Sequence, residues 1–345
     1  MARKVKSEGK TKAVKAYAKA SFGELKGWKT LVVESDRLSV TVLPEHGGWI
    51  LSCFYKPRNV ELLQTSPRGL LAKDDPPVVT DPLFRYRDRS PGGWPELFPH
   101  GSGPVEAYGV KLPFHGEVVN REWRAEIVSA RGAEAVAHMS VDCHLMPLRL
   151  ERTLRVAAGS ATFVLEETAT NLSDLPFDFM WGHHPIFGKP LLAEGAKIFA
   201  EAQRSLTDDF EPRGWPMDKG KDLSLCPAEG AGTGEMFYLD GLKAGWYALV
   251  NAEEKLGAAM AWDREVFPYV WIWREAGAAK NYPYFGRAYA VAIEPFSSLP
   301  GARQRGERLL HLDGGQSLST KLVLTGFHGL TEVSGVTADG EVRGK

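Results

Sequence analysis

Residues 151–168 read ERTLRVAAGSATFVLEET. A glycine-containing loop, Ala157-Ala-Gly-Ser160, separates two runs enriched in Thr and Val, and that arrangement predicts a β-hairpin. The pattern repeats outward from there. Trp246-Tyr-Ala-Leu-Val250 and Ala258-Ala-Met-Ala-Trp262 flank a polar loop ending in Gly257 and predict a second hairpin. Leu38, Val40 and Val42 alternate onto one face before Gly47 and Gly48 break the run ahead of Trp49-Ile-Leu51. Phe267-Pro-Tyr-Val-Trp-Ile-Trp273 and Ala288-Tyr-Ala-Val-Ala-Ile293 read as buried strands, and Ser317–Thr325 as the last strand of the body. No sustained 3.6-residue apolar stripe occurs. With 22 Pro and 36 Gly cutting the chain at short intervals, the reading is all-β, antiparallel and large. One sandwich-type domain over residues 20–330 accommodates so many short strands.

The ends read differently. Residues 1–19 hold Arg3, Lys4, Lys6, Lys10, Lys12, Lys15 and Lys19 against the single acid Glu8. So few large apolar groups cannot repay chain ordering, and a flexible basic tail is expected. Residues 331–345 turn polar and glycine-rich and are expected to form a second flexible tail.

Composition excludes several classes. The 345 residues are 43% apolar and 25% charged, with 42 basic and 43 acidic side chains and a net charge of −1. A nucleic-acid binder would carry a basic footprint, so nucleic acid is not expected as a partner. No run of about 18 apolar residues predicts a membrane span, and the start lacks the apolar core of a secretory signal. Cys53, Cys143 and Cys226 are sparse, odd in number and without metal-type spacing. They are expected as reduced thiols of a cytoplasmic protein, with no zinc site.

Four clusters stand out as carriers of chemistry. Gly92-Gly-Trp-Pro-Glu-Leu-Phe-Pro99 is a rigid irregular loop that reads either as one wall of a ligand site, presenting Trp94 or Phe98, or as a packed surface loop. In Pro113-Phe-His-Gly-Glu-Val-Val-Asn-Arg-Glu-Trp123, His115 precedes Gly116, where the backbone can turn and leave the imidazole at an open edge. Trp181-Gly-His-His-Pro-Ile-Phe187 carries two adjacent histidines. Neighbouring strand residues point to opposite faces, so one histidine belongs in a site and the other supports it from behind. This geometry disfavours a two-histidine metal centre. Finally, Ala292-Ile-Glu-Pro-Phe-Ser-Ser298 ends an apolar strand on Glu294. Such a carboxylate must be paired, exposed or placed to act as a general base. Trp271, Trp273, Tyr269, Tyr282 and Tyr284 suit the apolar face of a sugar, or equally a wide core.

In this order the clusters resemble the aldose 1-epimerase (galactose mutarotase-like) family, over roughly residues 30–327. The resemblance implies a galactose mutarotase-like β-supersandwich with a sugar site on a concave face. It also implies interconversion of the α and β anomers of an aldose without cofactor or metal. His184-Pro-Ile-Phe187 matches the family's His-x-x-Phe pattern, which makes His184 the expected general acid. Glu294 is the expected general base, and His115 the expected charge-stabilising partner at the substrate. Trp94, Arg121, His183 and Trp273 complete the candidate substrate-binding set. Members acting on phosphorylated hexoses carry an arginine shortly after the His-Gly turn; here Arg121 is displaced, which weakens a phosphosugar reading. The hydroxyl-binding aspartate stays open among Asp208, Asp209 and Asp263. The competing reading is a non-catalytic sugar-binding or sensing protein on the same fold. A lyase or hydrolase would need a further carboxylate or a Tyr/Arg pair that no motif supplies. The expected partner is a small sugar, and the expected state a monomer or homodimer.

Overall fold

The computed structural model describes residues 16–345 apart from 77, 78 and 80. Most of the expected basic tail therefore lies outside the described residues. Its end does not, because the first strand, Ala18–Leu25, begins at Ala18 and pairs with Trp28–Ser35.

Three large sheets build the body. The N-terminal sheet takes the strands Ala18–Leu25, Trp28–Ser35, Leu38–Leu43 and Trp49–Tyr55 in sequence order, with short strands at both edges. The central eight-stranded sheet includes Glu134–Asp142, Leu148–Ala157, Thr162–Asn171, Ser317–His328, Leu256–Trp262 and Trp246–Asn251 as successive neighbours. A second eight-stranded sheet is organised around Thr233–Asp240, Tyr269–Ala276 and Tyr289–Phe296. Every pairing between the named strands is antiparallel, so the all-β sandwich expected from the strand spacing is the observed architecture.

The quoted hairpin folds as read, with strands Leu148–Ala157 and Thr162–Asn171 joined across Gly159 at φ +78°. Alternation does the packing. Leu148, Leu150, Leu154 and Val156 point inward and are buried, while their neighbours are half exposed. Cross-strand register stacks Leu154, Leu165 and Leu322 in one inward row. All three are essentially solvent-free, so Leu154→Ala should cost about 2–5 kcal/mol through lost contacts and residual cavity. A urea midpoint unchanged by that substitution would contradict the packing. The adjacent inward row is polar: Arg152, Glu167 and Thr320 face the interior side by side.

Two features differ from expectation. Residues 331–345 contain a hairpin, Val333–Val336 paired with Val342–Gly344. Val333 is buried, and Val336 and Val342 pack with it against Trp246, Val323 and Phe327. Three valines spread among glycines and polar residues gave too dilute a signal to read as strands. A helix, Pro82–Arg89, also forms where none was expected; Asp81 followed by Pro82, a good pair for a helix start, was its available cue. Among the described residues no helix is long and apolar enough to cross a membrane.

Candidate active site

One face of the second eight-stranded sheet is the floor of the site. Register places Tyr238, Trp271 and Glu294 in one cross-strand row, and Met236, Trp273, Ala292 and Ile186 in the next. These side chains, except Ala292, line a cleft of about 670 Å³, within the usual size of a small-molecule site. The rim comes from irregular chain. The helix Pro82–Arg89 brings Tyr86 and Arg87, and the connection between Tyr269–Ala276 and Tyr289–Phe296 brings Lys280, Asn281, Tyr282 and Tyr284. Tyr282 and Arg68 both bond Asp88, which ties the two rims together.

His184 reaches the cleft because the strand is broken around it. Gly182–His183 pairs with Glu96–Leu97 on one side, and Gly182 with Phe296 on the other; Ile186–Phe187 then resumes pairing with Val291 and Ala292. Between them the His184 N–H donates to the Pro95 carbonyl at 3.1 Å. Its imidazole Nε2 lies 3.5 Å from Oε1 of Glu294. Gly182 is required at the join: a Cβ there would stand 2.4 Å from the Phe296 ring, which itself stacks on Trp271 at 3.7 Å between centroids.

His115 completes the group. It holds φ +63°, and its N–H donates to Ser102 O at 2.9 Å. The turn at His115-Gly116 sends the imidazole inward, edge-on to His184 at 5.6 Å and to Tyr86 at 4.7 Å. Trp273 stands 6.4 Å from His184. Glu294, His184, His115 and Trp273, distant in sequence, are thus brought to one hollow.

Burial sets their charge. Desolvation pushes His184 down to about 4 and lifts Glu294 well above the usual carboxylate range. Desolvation, then the neighbouring His184, His100 and Arg87, lowers His115 as well. All three groups are held toward their neutral forms.

Of the remaining sequence candidates, Asp208 lines the cleft, whereas Trp94, Phe98, Arg121, Tyr269, Asp263 and His183 lie outside it. Trp94 is 1% exposed, because Gly92 and Gly93 at φ +89° and +77° turn the indole into the core against Phe163. Phe98 from the same loop is also buried, so the loop packs and presents neither aromatic. Arg121 follows a short turn, and its guanidinium bonds the ring of His144 rather than the site. Tyr269 lines a separate hollow with Arg204 and Arg308. Of the aspartates, Asp208 lines the cleft and accepts the Tyr238 hydroxyl at 2.9 Å, whereas Asp263 caps a turn through Glu265 N–H. The sequence reading missed Tyr86 and Arg87, which depend on the unrecognised helix, and Tyr238, whose position is fixed only by register.

His183 points the other way, into the core, and is fully buried. Its Nδ1 accepts the Trp94 indole N–H at 3.3 Å and lies 3.5 Å from Oε2 of Glu96; its Nε2 lies 3.1 Å from Oε2 of Glu167. Arg152 stands 3.6 Å from the same Glu96 oxygen and donates to Gly48 O. Ligand atoms of Glu96, Glu167 and His183 fall within 4.8 Å of one another, a donor set suited to a divalent cation. Arg152 already supplies the positive charge beside them, and a dication added to it would leave the interior net positive.

Comparison with known proteins agrees with this architecture. A candidate aldose 1-epimerase from Klebsiella pneumoniae superposes with a TM-score of 0.70 at 20% identity, over 92% of this chain and 85% of that one. A galactose mutarotase-like protein from Clostridium acetobutylicum gives 0.67 at 14%, over 90% and 98%. One from Lactobacillus casei gives 0.60 at 17%, over 86% and 100%. At these identities the likeness establishes the galactose mutarotase-like fold expected from the motifs. No protein with a curated description matches the sequence. The model of a family described as a domain of unknown function, DUF4432, matches residues 98–325.

Proposed function

The chain belongs to the DUF4432 family, whose description names no activity, and from its cleft we propose that it interconverts the α and β anomers of an aldose by general acid–base ring opening. The observation that carries this reading is the 3.5 Å approach of the His184 imidazole and the Glu294 carboxyl within an aromatic-floored, sugar-sized cleft. The Klebsiella protein named as a candidate aldose 1-epimerase has the same fold.

The pair needs one proton between its two members. With Glu294 as carboxylate and His184 as imidazolium, Glu294 takes the proton of the anomeric hydroxyl while His184 gives one to the ring oxygen. The C1–O5 bond breaks and the anomeric C–O becomes the aldehyde. Those transfers leave His184 neutral and Glu294 protonated. Rotation of the aldehyde and closure on its other face return both protons and give the other anomer. Opening therefore converts one single-proton form of the pair into the other. Burial favours the neutral form, the reverse of the order the free groups have in water.

The rate requires a single proton on the pair, and acid removes that state by protonating neutral His184. Because His184 is held down to about 4, the acid limb of kcat belongs near pH 4 rather than near the ordinary histidine value of about 6.5. A limb centred between pH 6 and 7 would contradict the assignment.

Trp273 supplies an apolar platform beside His184. Trp273→Ala should raise KM about tenfold, equivalent to about 1.4 kcal/mol of lost contact, with kcat changed less than threefold. The deciding experiment is exchange NMR or polarimetry on a panel of aldoses. Acceleration of anomer exchange for at least one of them supports the reading; binding without acceleration favours a sugar-sensing protein on the same fold.

A further inference from the structure

Directly behind His184 lies a second set of titratable groups that the proposed reaction does not use. Glu96, Arg152, Glu167 and His183 are each at most 2% exposed. Arg152 and Glu167 are cross-strand partners in the central sheet, and Glu96 and His183 are cross-strand partners beside the cleft. The side chains follow one another in the order Arg152, Glu96, His183 and Glu167 through contacts of 3.6, 3.5 and 3.1 Å, and the cross-strand pairing of Glu167 with Arg152 brings the two ends together, with Trp94, Trp181 and Thr320 as the polar groups packed around them.

We propose that Glu96, Arg152 and Glu167 are positioning residues for His184, forming with His183 a charge-neutral ring whose two carboxyl groups share a single proton. This inference rests on the anomerase reading above.

Trp94 donates to Nδ1 of His183, so a neutral His183 carries its proton on Nε2, facing Glu167. One guanidinium balances one carboxylate, and the second carboxyl must be protonated for a dry interior to stay neutral. The directions of titration agree. Desolvation, then the charge of Glu167, pushes Glu96 up to about 8; desolvation pushes Glu167 up to about 7; desolvation lowers His183. Two carboxyls in one site titrate as a pair.

Cohesion of the ring depends on that proton. Both Glu167 oxygens, His183 Nε2, Arg152 Nε and Thr320 Oγ1 lack a well-directed hydrogen bond. Charge balance, more than directed bonding, holds the groups together, and losing the proton leaves one uncompensated buried charge.

The coupling to His184 is covalent and short. His183 and His184 share a peptide bond, and their segment is clamped on the Trp94–Glu96 segment through the His184 N–H to Pro95 O bond and the Glu96–His183 pairing. A shift of the His183 ring turns this segment and moves His184 relative to Glu294.

Anomer-exchange kinetics of the wild type, Glu96→Gln and Glu167→Gln across pH 6–10 test the idea. Each glutamine leaves a neutral ring with no proton to lose. Wild-type kcat should fall about tenfold between pH 7 and 9 with KM unchanged, and each variant should move that limb up by at least one pH unit. An alkaline limb unchanged in both variants overturns the proposal, as does failure of both variants to fold, since each keeps the ring neutral. Thermal melts read the ring independently of turnover. Wild-type Tm should drop from pH 6 to 9 and the variants' Tm should drop less; identical pH dependence in all three overturns the ring even if sugars are turned over. Absence of turnover on every sugar, with the expected melts, removes the anomerase reading and with it the positioning role, and leaves the ring.

Discussion

Glu294→Gln should slow the proposed anomer interconversion by roughly 10²–10⁴-fold while leaving the fold intact, and His184→Ala should do the same. Glutamine keeps the size of the carboxyl group but can neither take the hydroxyl proton nor return it. The Glu294 side chain is buried at a strand position with Trp271 as cross-strand neighbour, and an isosteric change there disturbs no packing. In the proposed mechanism the two residues act together in one ring-opening step, so their losses are not additive: the double variant should be little slower than the worse single one. Substrate affinity should hold within a few-fold, because Trp273, His115 and the rest of the floor are untouched. Exchange NMR separates the two effects. Anomer exchange persisting at the wild-type rate in both variants would remove the mechanism.

Arg152→Met costs about 3–5 kcal/mol at neutral pH, the loss expected when one partner of a buried charge pair is removed and the other stays. Methionine approximates the length of the arginine stem, so cavity formation is a minor part. Two lesser contacts also go: the donation to Gly48 O and the placement of the guanidinium over the Trp123 ring at 4.3 Å. The pH sign follows from the carboxyl pair. Glu96 and Glu167 hold protons more tightly folded than unfolded, so falling pH favours the folded state. In the variant the pair reaches neutrality by taking a second proton, and the deficit should shrink between pH 8 and pH 5. Urea unfolding at both values checks this; a loss under 1 kcal/mol, or one equal at both pH values, would show that Arg152 is not the balancing charge.

The sequence exposed the strands better than the surfaces they present. Period-two alternation and glycine loops located the 151–168 hairpin, the Trp246 and Ala258 strands, and the strand that ends on Glu294, because burial on one face leaves its mark in the chain itself. Adjacent histidines on opposite faces implied one in the site and one behind it; in the structure His184 lines the cleft and His183 is buried behind it. What escaped was information held by register and long-range packing. Nothing local distinguishes Trp273, which floors the cleft, from Trp94, which two glycines in positive-φ conformations turn inward. Arg152 and Glu167 look like ordinary outward charges in a strand; only the count from Leu150 to Leu154 shows that position 152 faces the interior. Tyr86 depended on a helix whose one cue was Asp81-Pro82.

Glu294 sits on a strand with all eight residues buried, and the two short strands flanking His184 both pair with it. The proposed donor and acceptor are therefore built into one piece of sheet, with little freedom to drift apart, whereas the helix at 82–89 and the connection at 277–288 belong to the rim. Divergence in what such a protein accepts is thereby confined to parts that can be exchanged like the jaws of a vice whose bed stays bolted down. Grafting rim segments between members of this fold should retarget recognition without rebuilding the proposed catalytic pair.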